Sequence, residues 1–353
     1  MDNNSDFQSC VVSPPVLTSA ENRGTIRPMA AITTPFNSPS ASSHVRPFEP
    51  RGDMGAVADL IERCFLNTLD DDGKRYLRQM REMARNPGII RWVSMGAELS
   101  GSPIIGYVWE DDGQIIGNVS LVPYRLNGRP HYLIANVAVH PDHRRQGIAR
   151  SLTWQAVEHA RAKGALDIWL HVREENDTAF LLYQELEFFE RARRTTWRNH
   201  REFSRLETPP GIKLGARLAS HWPIQKTWLD QTYPPELCWH LSLNQGMLRS
   251  GFWGAINRLF SAQFIQQWAA QRNDRLQAVV SWQATSTRAN ALWLAAPPDN
   301  DEEAVLALLI HARRKVPTRR PLVLDYPAHQ HKNVLQSAGF YEHQTLIWMR
   351  LEL

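Results

Sequence analysis

The segment 136–150, Asn-Val-Ala-Val-His-Pro-Asp-His-Arg-Arg-Gln-Gly-Ile-Ala-Arg, limits the folds open to this chain more than any other stretch. An apolar β-type run (Leu133, Ile134, Val137, Val139) stops at Pro141, and a helical pattern takes over near Gln146 after a short basic loop. A strand that feeds a glycine-bearing turn and then opens a helix leaves main-chain N–H groups without intrahelical partners, at the positive end of the helix dipole. Arg144, Arg145 and Arg150 add full charge around them. Such an arrangement predicts a seat for a phosphate or pyrophosphate.

Length and composition narrow the class. With 353 residues the chain has room for two domains, each with its own core. A hydrophobic fraction of 43% and a charged fraction of 22% are those of an ordinary globular protein. A formal charge of +4 over this length, without a basic stripe, gives no argument for a nucleic-acid partner. Cys10, Cys64 and Cys238 are odd in number and far apart, which argues against a disulfide framework or a cysteine zinc site and for a reducing compartment. No apolar run reaches membrane-spanning length, and the start Met1-Asp2-Asn3-Asn4 lacks the order of a signal peptide. A cytoplasmic protein with no membrane partner is expected.

Along the chain, residues 1–43 are rich in Ser, Thr, Pro and Asn and read as a disordered tail. A short strand at 45–48 precedes two helices, 54–65 with Val57, Leu60 and Ile61 on one face, and 72–84 with Tyr76, Met80 and Met83. A hairpin turns at Asp112-Gly113, and a second turn at Asn127-Gly128 leads into the strand ending at Val139. The helix from about Gln146 stops at Gly164; a strand (166–172), a helix capped by Asn176 and Asp177, and closing strands at 188–198 complete an α+β plan around a mostly antiparallel sheet. The pattern breaks near 207–211. The boundaries expected are therefore a tail at 1–43, a first domain at 44–207 and a second at 208–353. The second half repeats the first in worn form: strands at 276–282, 291–295 and 322–325, helices at 302–315 and 331–338, and a final hairpin at 340–349.

Arg144-Arg145-Gln146-Gly147-Ile148-Ala149 resembles the Arg/Gln-x-x-Gly-x-Gly/Ala loop of the GNAT superfamily of acetyl-CoA-dependent N-acetyltransferases. Asn176, Ala179, Leu182, Tyr183 and Phe188 match a second element of that family at the expected spacing, with Glu187 where the family has Gly. The resemblance covers about 45–205. It implies the GNAT fold, a splayed, mostly antiparallel mixed sheet flanked by helices, in two tandem copies of which the second is degenerate. It also implies acetyl-CoA as acetyl donor. Main-chain groups of Val137, Ala138 and Val139 would pair with the pantetheine arm. Amides of Arg145, Gln146, Gly147, Ile148, Ala149 and Arg150 would cradle the diphosphate beside the Arg144 side chain, and Gly147 would let the loop approach closely. Asn176 would bind near the thiol end, and Tyr183 would return a proton to the leaving thiolate.

Plainer readings stand beside these. Tyr183 shares a helix face with Ala179, Phe180 and Leu186, the spacing of a core tyrosine. His140 and His143 have no third ligand at metal spacing, so no metal is assigned. Asp70-Asp71-Asp72 reads first as a helix-starting acidic cluster and second as a lure for a cationic amine. For the general base, Glu110, His131, Asn136 and a water chain all stay open, with Glu110 at the end of a hairpin strand carried forward as the named candidate. In the second half the place of the phosphate loop reads Pro297-Pro298-Asp299-Asn300-Asp301-Glu302-Glu303, whose carboxylates would repel a diphosphate. An offset of 152 puts Leu335 and Ala328 where Tyr183 and Asn176 stand. The expected function is one N-terminal active site moving an acetyl group to the primary amine of a small molecule or peptide. A non-catalytic acyl-CoA-sensing or partner-binding protein is the alternative.

Overall fold

The computed structural model describes residues 44–66, 69–85, 105–126, 128–199, 209–241, 243, 245–249, 264–285, 289–299, 301–316 and 320–353. The N-terminal tail, Asn127 and the side chains of Asp71 and Asp72 lie outside the described set. Two compact units share the chain. Among the described residues, one takes 44–171, 178–189 and 349–353, and the other takes 172–177 and 190–348. Among these residues no helix is long and apolar enough to cross a membrane.

The N-terminal unit begins with β1 (Val45–Pro47), α1 (Pro50–Phe65) and α2 (Asp71–Arg85). Pro50 opens α1, where a missing N–H costs nothing. The Asp53 carboxylate accepts from the Glu49 amide (2.7 Å) and pairs with Arg46 (2.6 Å). Met54, Val57, Ala58 and Ile61 of α1 bury their stripe with Leu77, Met80 and Met83 of α2 against Val108 and Ala138 of the sheet. Each such side chain contributes roughly 1.5–3 kcal/mol of transfer energy.

The sheet then runs β2 (Ile105–Asp111), β3 (Gln114–Leu126), β4 (Arg129–Val139) and β5 (Asp167–Arg173), in the order β1-β2-β3-β4-β5. Helix α3 (Ile148–Ala162) joins β4 to β5, and α4 (Asp177–Glu185) follows. The antiparallel β3–β4 pair slips between Asn118↔Ala138 and Ser120↔Ala135, a bulge centred on Asn136 at φ +52°. Parallel β4 and β5 pair only over Tyr132↔Ile168, Leu133↔Trp169 and Ile134↔Leu170. Beyond that the last five residues of β4 part from β5.

The C-terminal unit carries β6 (Phe189–Asn199) from residue 190 on, β7 (Lys213–Ala216), α5 (Trp222–Thr232), β8 (Ile265–Arg272), β9 (Arg275–Gln283), β10 (Asn290–Ala295), α6 (Glu302–Lys315), β11 (Leu322–Pro327), α7 (Lys332–Ser337) and β12 (Phe340–Glu352) as far as Trp348. Its strand order is β6-β11-β10-β9-β8-β7. From β7 onward the elements follow the same sequence as β1 to β6, so the fold is a tandem repeat. The repeat is imperfect. β9 and β10 keep one register from Ala291↔Gln283 to Ala295↔Val279, with no counterpart of the Asn136 bulge.

Several expectations need correction. The segments 188–198 and 340–349 are single strands rather than sets of strands or a hairpin. Neither contains a residue at positive φ to turn on; the left-handed residues are Glu187 and Gly339, just before each strand. The helix expected from Gln146 starts at Ile148, behind Gly147 as its cap. Strand β8 and helix α5 were not anticipated.

Candidate active site

Local sequence builds the loop after β4. Pro141 ends the strand and starts a single 3-10 turn, Pro141–His143. Arg144 is extended, Arg145 is left-handed at φ +66°, and Gly147 is left-handed at φ +79°. Two left-handed residues flanking Gln146 turn the chain sharply into α3, and Arg144, Arg145, Gln146 and Gly147 are all exposed. The first amides of α3 have no intrahelical acceptor, so the loop presents N–H groups and two arginine side chains together.

Gly147 needs its glycine for a different reason from close packing. A Cβ there meets nothing within 4 Å, so it is the positive φ that excludes other residues and leaves free room at the mouth of the loop. Gly117 of β3 is the glycine with a steric role. A Cβ on it would lie 2.8 Å from Ile148 Cγ2, 2.9 Å from Leu152 Cδ1 and 3.0 Å from the Trp109 Cβ. That contact seats the start of α3 on the sheet and fixes where its amides point.

The end of β4 faces the gap left by β5. His140 donates its amide to the Ile116 carbonyl (2.8 Å), so by antiparallel alternation the Val139 amide and carbonyl turn away from β3. The Val139 carbonyl accepts from the Cys64 thiol (3.2 Å) and from Arg144 Nε (3.3 Å). Ala138 is buried, and Val137 and Val139 are half-buried. An open room beside Gly147, converging amides and an outward-facing strand edge suit a diphosphate joined to an extended amide arm, as in coenzyme A.

Tyr183 lies in α4, buried, with its ring edge-on to Phe188 at 6.1 Å. Among the described residues its hydroxyl makes no hydrogen bond, and burial pushes the phenol above its usual range. It stays protonated at neutral pH, the state an acid needs. Arg150 and Glu185 form an ion pair that ties the first turn of α3 to α4. The Arg150 side chain is thereby committed, and only its amide belongs to the loop's donor set. Asn176 donates its amide to the Arg173 carbonyl (2.9 Å) and falls in the stretch 172–177 of the other unit. Glu187 takes the left-handed turn (φ +64°) that explains why glycine is the family's residue there.

The base candidates separate. Glu110 is bound to Arg46 (2.5 Å), which also holds Asp53. His131 is buried near the start of β4, its Nδ1 2.5 Å from Asp167, whose other oxygen meets Arg350 at 2.8 Å. Asn136 stands at the bulge, next to Val137, with Nδ2 donating to the Tyr76 hydroxyl (3.3 Å). Asp70 accepts from the Gly73 amide (2.9 Å), the helix-start role. The bulge and the residues that line it, Asn118, Ser120 and Tyr76, were missed by sequence reasoning, because no periodicity marks an inserted residue.

In the C-terminal unit the equivalent helix start is closed on itself. Asp301 caps α6 by accepting from the Ala304 amide (3.1 Å), and Arg272 pairs with Asp301 (2.6 Å) and Glu303 (2.6 Å).

The acetyltransferase (GNAT) family profile matches residues 56–188. An acetyltransferase of Pectobacterium atrosepticum is 31% identical over 136 residues, 38% of this chain and 81% of that protein. The chain therefore belongs to the GNAT acetyltransferase family and is an acyltransferase. The [ribosomal protein bS18]-alanine N-acetyltransferase of Escherichia coli is 40% identical over 55 residues, but the match spans only 37% of that protein and 16% of this chain. Among solved structures, a GCN5-related N-acetyltransferase from Sphaerobacter thermophilus superposes with a TM-score of 0.52 at 17% identity, covering 87% of this chain and 95% of its own; that likeness concerns the fold alone.

Proposed function

We propose that the N-terminal unit transfers an acetyl group from acetyl-CoA to a primary amine through a ternary complex, and that the C-terminal copy is catalytically silent. The observation that carries this is the pairing of Gly147's open, left-handed turn with the outward-facing main chain of Val139 at the strand splay. Arg145, Gln146, Gly147, Ile148, Ala149 and Arg150 would hold the diphosphate with their amides, Arg144 with its side chain, and Val137 to Val139 the pantetheine arm. Acetyl-CoA supplies the activated acetyl group. The Val139 amide stabilises the oxyanion that develops as the amine adds. Tyr183, a phenol that burial keeps from ionising, gives its proton to the departing sulfur. With Glu110 bound to Arg46, loss of the amine proton to water fits the geometry better than loss to that carboxylate. Silence of the second copy rests on the Asp301–Arg272 closure, the missing bulge, and Leu335 and Ala328 in place of Tyr183 and Asn176.

The test is thiol release from acetyl-CoA across an amine panel, with Tyr183→Phe alongside. Amine-dependent release, a kcat lowered tenfold or more in the variant and unchanged CoA affinity support the assignment. CoA binding without release on any amine favours the non-catalytic sensor.

A further inference from the structure

Four neutral polar side chains meet inside an otherwise apolar part of the N-terminal unit. Asn118 is 1% exposed, and its Nδ2 donates to the Asn136 carbonyl (2.9 Å) and to Ser120 Oγ (3.3 Å). Asn136 spends its own Nδ2 on the Tyr76 hydroxyl (3.3 Å) and Ser120 Oγ (3.5 Å). Both carboxamides thus use their N–H groups on the protein. Their oxygens accept no hydrogen bond from any described residue, and so stay available to an N–H donor that comes to the bulge.

The position of the cluster says which donor. Ala138, paired with Asn118, packs in the core formed by α1 and α2, whereas Gly117 next to it meets Ile148 and Leu152 of α3 on the opposite face. The diphosphate helix therefore covers one face of the sheet, and the carboxamides look toward the other. They sit at the bulge immediately before Val137–Val139, where the acyl end of an extended arm on that strand would lie. A nucleophile approaching the splay from the α1–α2 face passes them.

We infer that Asn118 and Asn136 seat the acceptor nitrogen through their carboxamide oxygens, and that the acceptor is a weakly basic amine, an α-amino group. The inference rests on the transferase reading above. A carboxamide oxygen accepts an N–H from either form of the amine, but only the neutral form has the lone pair to attack, and this cluster holds no carboxylate whose charge would favour the ammonium. At pH 7.5 an α-amino group with a pKa near 7.8 is about one third neutral, whereas a lysine amine near 10.4 is neutral in roughly one molecule per thousand. A seat that adds no charge to stabilise the ammonium leaves this difference in place, and it favours the α-amine by on the order of a hundredfold or more.

Two peptides of one sequence test it with the full chain, one with a free N-terminus and a blocked lysine, the other with a blocked N-terminus and a free lysine. The expected results are a kcat/KM at least ~50-fold higher for the free N-terminus, and an Asn136→Ala variant whose KM for that peptide rises about tenfold with CoA affinity unchanged. Asn136→Asp, which adds the missing charge, should narrow the preference for the α-amine. Asn136 is the partly exposed member and its variants test the idea even if Asn118→Ala does not fold. Equal rates on both peptides, or an unchanged amine KM in Asn136→Ala, overturn the seat while leaving the transferase intact. Failure to release thiol with either peptide, or with any amine, overturns both.

Discussion

Replacing Gly147 by alanine separates the needs of the backbone from those of a ligand. The left-handed φ of +79° costs an L residue about 1–2 kcal/mol, and the new Cβ touches nothing within 4 Å in the free protein. The fold should therefore lose only that strain, read as a lower denaturation midpoint with an unchanged slope. If the free room is where a phosphate sits, the methyl displaces an oxygen from a main-chain amide. Loss of one hydrogen bond to a charged group, ~1.5–3 kcal/mol, weakens CoA about 10- to 100-fold by isothermal titration. Gly128→Ala is the matched control. Its glycine has φ +77°, also with nothing within 4 Å, and it lies in the turn before β4, eleven positions from where that strand ends. It should show the same strain and bind CoA normally. Equal CoA affinity in the two variants would refute the diphosphate seat, however well the stabilities agreed.

Other outcomes follow from the same geometry. Gly117→Val would drive a side chain into Ile148 and Leu152; overpacking of about 1–3 kcal/mol should lower the urea midpoint, and the shifted start of α3 should weaken CoA in the same titration. Asp301→Ala removes the α6 cap, at a cost of about 1 kcal/mol by urea melting, and calorimetry should still count one CoA per chain. His240, edge-on to Trp239 and Trp348, is held neutral by burial, with its pKa lowered to about 4. Because the folded value lies below the unfolded one near 6.5, its contribution is present above pH 6.5 and lost as pH falls toward 4. His240→Leu should flatten that part of the midpoint-versus-pH curve.

What the sequence disclosed, and what it hid, divides along physical lines. Strand β4, the loop and α3 were legible because apolar alternation, Pro141, Gly147 and Gly164 are local signals. The hairpin turning at Asp112-Gly113 was equally plain. The Asn136 bulge was not, since only the slip against β3 defines it, and with it went the Asn118–Ser120–Tyr76 cluster. The turn at Asn273 and Asp274, both at positive φ, was a usable signal for β8 that went unread. The ion pairs that commit Arg150 and Glu110 join residues 35 and 64 positions apart, beyond the reach of any window along the chain.

Residues 349–353 belong with the unit built from the beginning of the chain: Arg350 meets Asp167 at 2.8 Å, and the Leu353 amide donates to the Leu166 carbonyl at 3.0 Å. Residues 190–199 are counted the other way. A gene fragment stopped near 207 would therefore encode an incomplete N-terminal unit, short of its Arg350 anchor. During synthesis that unit has to wait for residues 349–353, so its maturation is tied to emergence of the second half of the fold.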